Sequence, residues 1–303
     1  MPAPALVMYP TTPRAPAVPA GVVEGNYLAS IPLVRPSRLT SRRRGGVGKE
    51  LSEGWCLNFA VGCTHACPFC YVDAIHKRFG LRYGAAVREK WGDYFLTPTN
   101  LHEAIERTPW HRWKGKEVMM SSTHDPYLPT LAKAAREILE RALPAGVRFC
   151  LQTRSVLVLK DLDLLGQYRD QVRLQFSIAT MNDALSRRIE PRVPSPERRM
   201  EVLARAVEAG LRTGVIIAPV FPVCRLRPDI REDLRAIVER LADIRPDHIY
   251  GESLHVRGEN LRLVEEALGE PVRLTKGFDR GVARLFREEL ARVGLKGVWW
   301  PES

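Results

Sequence analysis

From Trp55 onward, short runs rich in β-branched and apolar residues alternate with segments of helical periodicity, the rhythm of a parallel sheet connected through helices. Leu57–Val61 reads as the first strand, with helix-compatible spacing over Asp73–Lys90 after it. Val118–Met120, Val147–Gln152, Val172–Ile178, Thr213–Val220 and His248–Gly251 read as five more. Thr213–Val220 is continuously apolar, as a strand covered on both faces must be. Between the strands, helices are predicted over Leu131–Leu143, Leu162–Tyr168, Ser195 to Gly210 and Ile230–Ile244. Ser195-Pro196 supplies a cap followed by proline at the first helical position. Helices around Asn260–Leu268 and Arg280–Val293 and a strand Val298–Trp300 close the chain, with Trp299 and Trp300 expected to plug the barrel bottom or its open side. The result is an α/β fold of six βα units, which collects its site at the carboxyl ends of the strands.

The run Gly62-Cys63-Thr64-His65-Ala66-Cys67-Pro68-Phe69-Cys70 leaves the end of the first of those strands. Its C-x-x-x-C-x-x-C spacing gathers three thiolates, soft ligands that favour zinc or iron–sulfur clusters. A cubane [4Fe–4S] cluster takes four ligands, so three cysteines leave one iron open to a small molecule. Structural zinc normally uses two separated ligand pairs, and no second pair exists, although Cys56 or His65 could complete a four-ligand knuckle. Six cysteines in 303 residues is too sparse for a disulfide scaffold.

The cysteine spacing, with Phe69 directly before the last cysteine, resembles the radical S-adenosylmethionine (radical SAM) superfamily. The segments Gly62–Asp73, Ser121–Pro129, Leu151–Ser155, Phe176–Ile178, Glu190–Met200 and Val215–Pro219 further resemble its spore photoproduct lyase-like group, the DNA repair photolyase homologues. The resemblance implies a partial (βα)6 TIM barrel of the radical SAM type. Cys63, Cys67 and Cys70 would hold a [4Fe–4S] cluster whose open iron chelates SAM, and a reductase such as flavodoxin or ferredoxin would supply the electron. It places Phe69 against adenine, and Arg154 and Ser177 on SAM. Asp125 and Arg192, in the loops after the second and fourth strands, are further candidate contacts. In the lyase, a hydrogen-atom-donating cysteine precedes the strand-two aspartate. Ser122 stands at that position here, with Cys150 and Tyr127 as substitute donors to consider.

Lysine and arginine number 46 against 35 acidic residues, a net charge of +11, and residues 1–50 carry +5 of it. Such an excess can bind phosphate backbones by counterion release, although no aromatics interleave with Arg42–Arg44. Residues 1–50 are expected to be a flexible Pro/Arg-rich arm and 51–303 the core domain. Prolines in Met1–Ala20 and the lack of a long apolar run predict neither a secretory signal nor a membrane span, hence a cytoplasmic protein. The functional expectation is reductive cleavage of SAM to a 5′-deoxyadenosyl radical that abstracts hydrogen from a substrate, with damaged DNA a candidate. The competing expectation is a non-catalytic zinc or iron–sulfur nucleic-acid-binding protein.

Overall fold

The computed structural model describes residues 19–37 and 52–300, so the readings of residues 1–18 and of Arg42–Arg44 lie outside it. Ten strands occur among the described residues: β1 (Val23–Tyr27), β2 (Val34–Pro36), β3 (Trp55–Leu57), β4 (Tyr94–Pro98), β5 (Glu117–Met120), β6 (Arg148–Thr153), β7 (Val172–Ser177), β8 (Arg212–Val220), β9 (His248–Ser253) and β10 (Val298–Trp300). Nine α-helices accompany them: α1 (Val72–Phe79), α2 (Leu101–Arg107), α3 (Ala132–Ala142), α4 (Leu162–Gln167), α5 (Asp183–Ile189), α6 (Pro196–Glu208), α7 (Ile230–Ile244), α8 (Asn260–Leu268) and α9 (Phe278–Arg292).

The main sheet runs β10-β9-β8-β7-β6-β5-β3-β2. β3, β5, β6, β7, β8 and β9 pair in parallel, β10 joins β9 in parallel, and β2 joins β3 antiparallel. This is an α/β fold consistent with the partial barrel expected. Along each strand alternate residues face inward, and Cys56, Met119, Cys150, Ile216, Ala218 and Tyr250 meet as a small interior cluster. The opposite face, with Phe149, Leu174, Phe176, Val215 and Ile217, joins the larger core shared with the helices.

The helices begin where the chain offers caps. Ser195 Oγ accepts from Arg198 N at 3.4 Å with Pro196 next to it, and Asp229 Oδ1 accepts from Arg231 N at 2.7 Å. α5 was not expected from the sequence, yet Asn182 Oδ1 caps it by accepting from Leu185 N at 2.9 Å.

Several expectations need correcting. The first strand lies at Trp55–Leu57, ahead of Leu57–Val61, because the chain peels away at Asn58, whose amide engages Ser122. The helix expected over Asp73–Lys90 ends at Phe79, and beyond it Gly80 and Gly84 break the chain into 3-10 turns. Trp299 lies at the open edge of the sheet, on β10, and not at the barrel bottom. It packs on Gly251 and Phe286, between β9 and α9, and donates its indole N–H to Asp279 at 3.0 Å. Within the expected arm, residues 23–36 supply β1, which pairs in parallel with β4, and β2, which extends the main sheet.

Candidate functional site

The cysteine loop follows β3 and is held by contacts that only particular residues permit. Val61 and Leu96 exchange backbone hydrogen bonds of 3.1 and 2.8 Å, fixing where the loop begins. At Gly62 φ is +87°, and a Cβ there would stand 2.3 Å from the Tyr94 carbonyl oxygen. Ala66 adopts φ +57° and lies so close to Gly92 that a Cβ on that glycine would come within 2.3 Å of the alanine methyl. Within the loop, Ala66 N donates to Cys63 O at 3.3 Å and Cys70 N to Cys67 O at 3.1 Å.

Cys63, Cys67 and Cys70 line one cavity of about 110 Å³, with Phe69, Asp125 and Arg154 in the same wall. Burial pushes the Cys63 thiol up to about 12 and Cys70 to about 11, and carries Cys67 well above its ordinary value. A metal bound here must displace these protons, since the thiolate is the ligand. Among the described residues no three His, Cys, Asp or Glu side chains converge on a single ion. Cys63, Cys67 and Cys70 border one cavity, and three thiolates are the kind of donor an iron–sulfur cluster takes. Of the two fourth-ligand candidates for zinc, Cys56 accepts from Asn58 Nδ2 at 3.5 Å and borders a different cavity, while His65 lines the cysteine cavity with its Nδ1 3.6 Å from Asp125 Oδ2. The chemistry of the donor set therefore fits a three-cysteine cluster.

Asp125 is committed to its neighbours. Oδ1 accepts from Tyr127 N at 2.9 Å and Thr153 Oγ1 at 2.7 Å, and Oδ2 accepts from Arg154 N at 2.6 Å. The carboxylate thereby joins the loop after β5 to the end of β6 and sets where Arg154 begins. The Arg154 guanidinium lies over the Phe69 ring, 5.3 Å from its centroid, and donates to Glu190 Oε1 at 2.9 Å and Ala218 O at 3.2 Å.

Glu190 is fully buried between two guanidiniums. Arg199 Nη1 donates to Glu190 Oε1 at 3.1 Å and to the Ser177 carbonyl at 2.6 Å, and its Nη2 donates to Glu190 Oε2. Burial by itself would raise the Glu190 carboxyl, but Arg199 and Arg154 together hold it below its ordinary range. With one carboxylate between two cations, the group keeps a net positive charge beside the cysteines.

Of the expected cofactor contacts, Phe69, Asp125 and Arg154 line the cavity. Ser177 lies buried at the end of β7, its carbonyl taken by Arg199. Arg192 instead grips the base of the cysteine loop, donating to Gly92 O at 2.9 Å and Thr64 O at 3.5 Å. Neither Cys150, in the barrel interior, nor Tyr127, whose hydroxyl donates to Asp161 at 3.0 Å, borders the cysteine cavity.

Sequence reading passed over three residues that matter here. Arg199 falls on the core face of α6 with Pro196, Leu203 and Ala206, and a charge in that apolar stripe was the available signal. Asn260, at the start of α8, donates to Phe69 O at 3.1 Å, and Tyr71 donates its hydroxyl to Ser122 O at 2.9 Å. Neither of these two carried a sequence signal.

Comparison with known proteins places this geometry in context. The sequence model of the Radical SAM superfamily matches residues 57–223. An uncharacterized protein of Acidianus two-tailed virus is 57% identical over 280 residues, covering 92% of this chain and 93% of its own length. One from Methanocaldococcus jannaschii is 31% identical over 170 residues, covering 55% of this chain and 61% of its own. Among solved structures, spore photoproduct lyase complexed with dinucleoside spore photoproduct aligns with a TM-score of 0.63 at 14% identity, over 91% of this chain and 81% of that one. A mutant of the same lyase with bound AdoMet and the dinucleoside aligns with a TM-score of 0.61 at 14% identity, over 92% and 81% of the two chains. At such identity the likeness speaks to the fold.

Proposed function

The chain belongs to the radical SAM superfamily, and on that premise we propose that it is an enzyme that takes a hydrogen atom from a damaged nucleotide. The observation that carries the reading is the meeting of Cys63, Cys67 and Cys70 with Arg154 around one cavity at the carboxyl ends of the strands. The three cysteines would hold the [4Fe–4S] cluster. When bound, the cluster and SAM supply a one-electron cleavage of the sulfonium that yields a 5′-deoxyadenosyl radical.

The remaining work falls to this chain's own side chains. Arg154, fixed by Glu190 and stacked on Phe69, offers its guanidinium to the SAM carboxylate. Phe69 presents its ring to the adenine, and Ser177, buried at the end of β7, acts through Arg199, which its carbonyl holds. Asp125 and Arg192 act one step back, the first by positioning Arg154 and the second by bracing the cysteine loop. A donor such as flavodoxin or ferredoxin, in a reducing cytoplasm, completes the proposal. Among the described residues no helix is long and apolar enough to cross a membrane.

The nucleic-acid part of the proposal draws support from the net charge of +11 and from the lyase-like fold. Ser122 favours a second reading for the terminating step. A serine O–H is a poor hydrogen-atom donor, so the product differs from that of an enzyme with a thiol there. The test is incubation of the reconstituted protein with SAM and lesion-bearing DNA deuterated in its nucleotides. Deuterium in the 5′-deoxyadenosine released, or in recovered SAM, supports the proposal, and SAM cleavage that gives only unlabelled 5′-deoxyadenosine contradicts it.

A further inference from the structure

A second and larger cavity, about 880 Å³, lies between β1, β2, α1 and the turns that follow α1, within the size range of ligand pockets. Thr123 borders both this cavity and the one holding the cysteines, so a group inserted here reaches the reacting centre across one residue. Its charge is one-sided. Arg35 and Arg82 line it and no Asp or Glu does. Elsewhere on the surface arginines stand against carboxylates, as Arg136, Arg231, Arg262 and Arg292 do. Neither Arg35 nor Arg82 has an ion-pair partner among the described residues. The Arg82 guanidinium is held over the Tyr83 ring, 4.7 Å from the centroid, and donates to the Tyr83 hydroxyl at 2.8 Å, so it is already oriented.

The lining is also aromatic where it meets solvent. Phe79 is 61% exposed and Leu28 76% exposed, while Tyr27 and Tyr83 pack edge to face at 4.9 Å. Large apolar groups exposed together on a protein surface mark contact with something else. Cations without carboxylates, beside the exposed Phe79 ring with Arg78 5.0 Å from its centroid, match a molecule with phosphates and flat rings.

We propose that this cavity receives a nucleotide of a nucleic-acid strand, with Arg35 and Arg82 on its phosphates and Phe79 stacked on a base. An enzyme that acts on a base must take it out of the stack, and this recess adjoins the cysteine cavity at Thr123. The inference rests on the reading of a nucleotide substrate and adds where that substrate binds.

The test uses the full chain, reconstituted without air, and single-stranded DNA and RNA oligonucleotides carrying a photoreactive 5-bromouracil. Crosslinks mapped to Tyr27, Phe79 or Tyr83 support the proposal, and the two arms show which sugar is accepted. Phe79→Ala is expected to weaken binding about ten-fold, the loss of one stacked base. Arg35→Gln and Arg82→Gln should each reduce the salt dependence of binding by about 0.7 of a counterion. Crosslinks confined to other faces, unchanged affinity in all three variants, or no binding by the wild-type chain at low salt would overturn it. SAM cleavage is measured in the same preparation without oligonucleotide. Its failure refutes the catalytic reading and leaves the crosslink map to decide this one.

Discussion

Glu190 is the residue on which the site's electrostatics turn, a buried carboxylate whose two partners have different duties. Arg199 is itself fully buried and bonds both Glu190 oxygens as well as the Ser177 carbonyl, so Arg199→Met leaves the buried Glu190 carboxylate with Arg154 alone as its cation and breaks the bidentate half of the group. Breaking a buried pair from one side costs about 3–5 kcal/mol, and thermal unfolding of this variant should show a large drop in Tm. Arg154 reaches the cavity with its side chain 22% exposed. Arg154→Gln leaves Glu190 paired with Arg199, so the Tm should change little while the KM for SAM rises about ten-fold or more. A variant as unstable as Arg199→Met would make Arg154 a structural brace. Arg154 was legible in the sequence because it follows a strand of evident β character. Arg199 left one signal, a charge on the apolar face of α6, but the partner that gives that charge its meaning, Glu190, is identified only by the fold.

Among the elements, the cysteine loop depends on two close backbone approaches. Gly62→Ala puts a methyl against the Tyr94 carbonyl at a φ of +87°, where the neighbour is main chain and cannot step aside. The expected result is iron incorporation well below wild type in a chain whose far-ultraviolet circular dichroism is nearly unchanged. Normal iron content would show that the loop has another shape. The loop's composition and place after a strand were plain from the sequence, because ligand spacing is local. Its bracing was not, because the partners Tyr94, Gly92 and Arg192 come from other parts of the chain. β1 and β4 were missed for a similar reason. Glu24-Gly25-Asn26 interrupts any alternation in β1, Pro98 ends β4, and each is a strand only by virtue of the other.

At the scale of the whole molecule, an open sheet needs its last helices fixed against it, and Glu289 on α9 does part of this. Its side chain is 2% exposed and meets Arg231 and Arg235 from α7 and Arg292 from α9. Hydrogen bonding by Arg235 leads the causes that hold this carboxyl down at about 2. A lowered carboxylate stabilises the fold above its unfolded pKa of about 4.3, and that contribution is lost as pH falls toward 2. Glu289→Gln should therefore be less stable than wild type at neutral pH, with the difference shrinking between about pH 4 and 2. A difference independent of pH would remove Glu289 from this role. Five of the six parallel strands were readable because buried strands advertise themselves by apolar character, and the first was placed a few residues late, whereas the α7–α9 contact joins segments some fifty residues apart through charges.

The central claim is tested most directly by reconstituting the chain with iron and sulfide in the absence of air, adding SAM and dithionite, and assaying for 5′-deoxyadenosine. The wild-type chain should show a [4Fe–4S] spectrum and release 5′-deoxyadenosine, and Cys63→Ser, Cys67→Ser or Cys70→Ser should each abolish both. A colourless protein with stoichiometric zinc, or a cluster that binds normally and leaves SAM intact, would contradict the account.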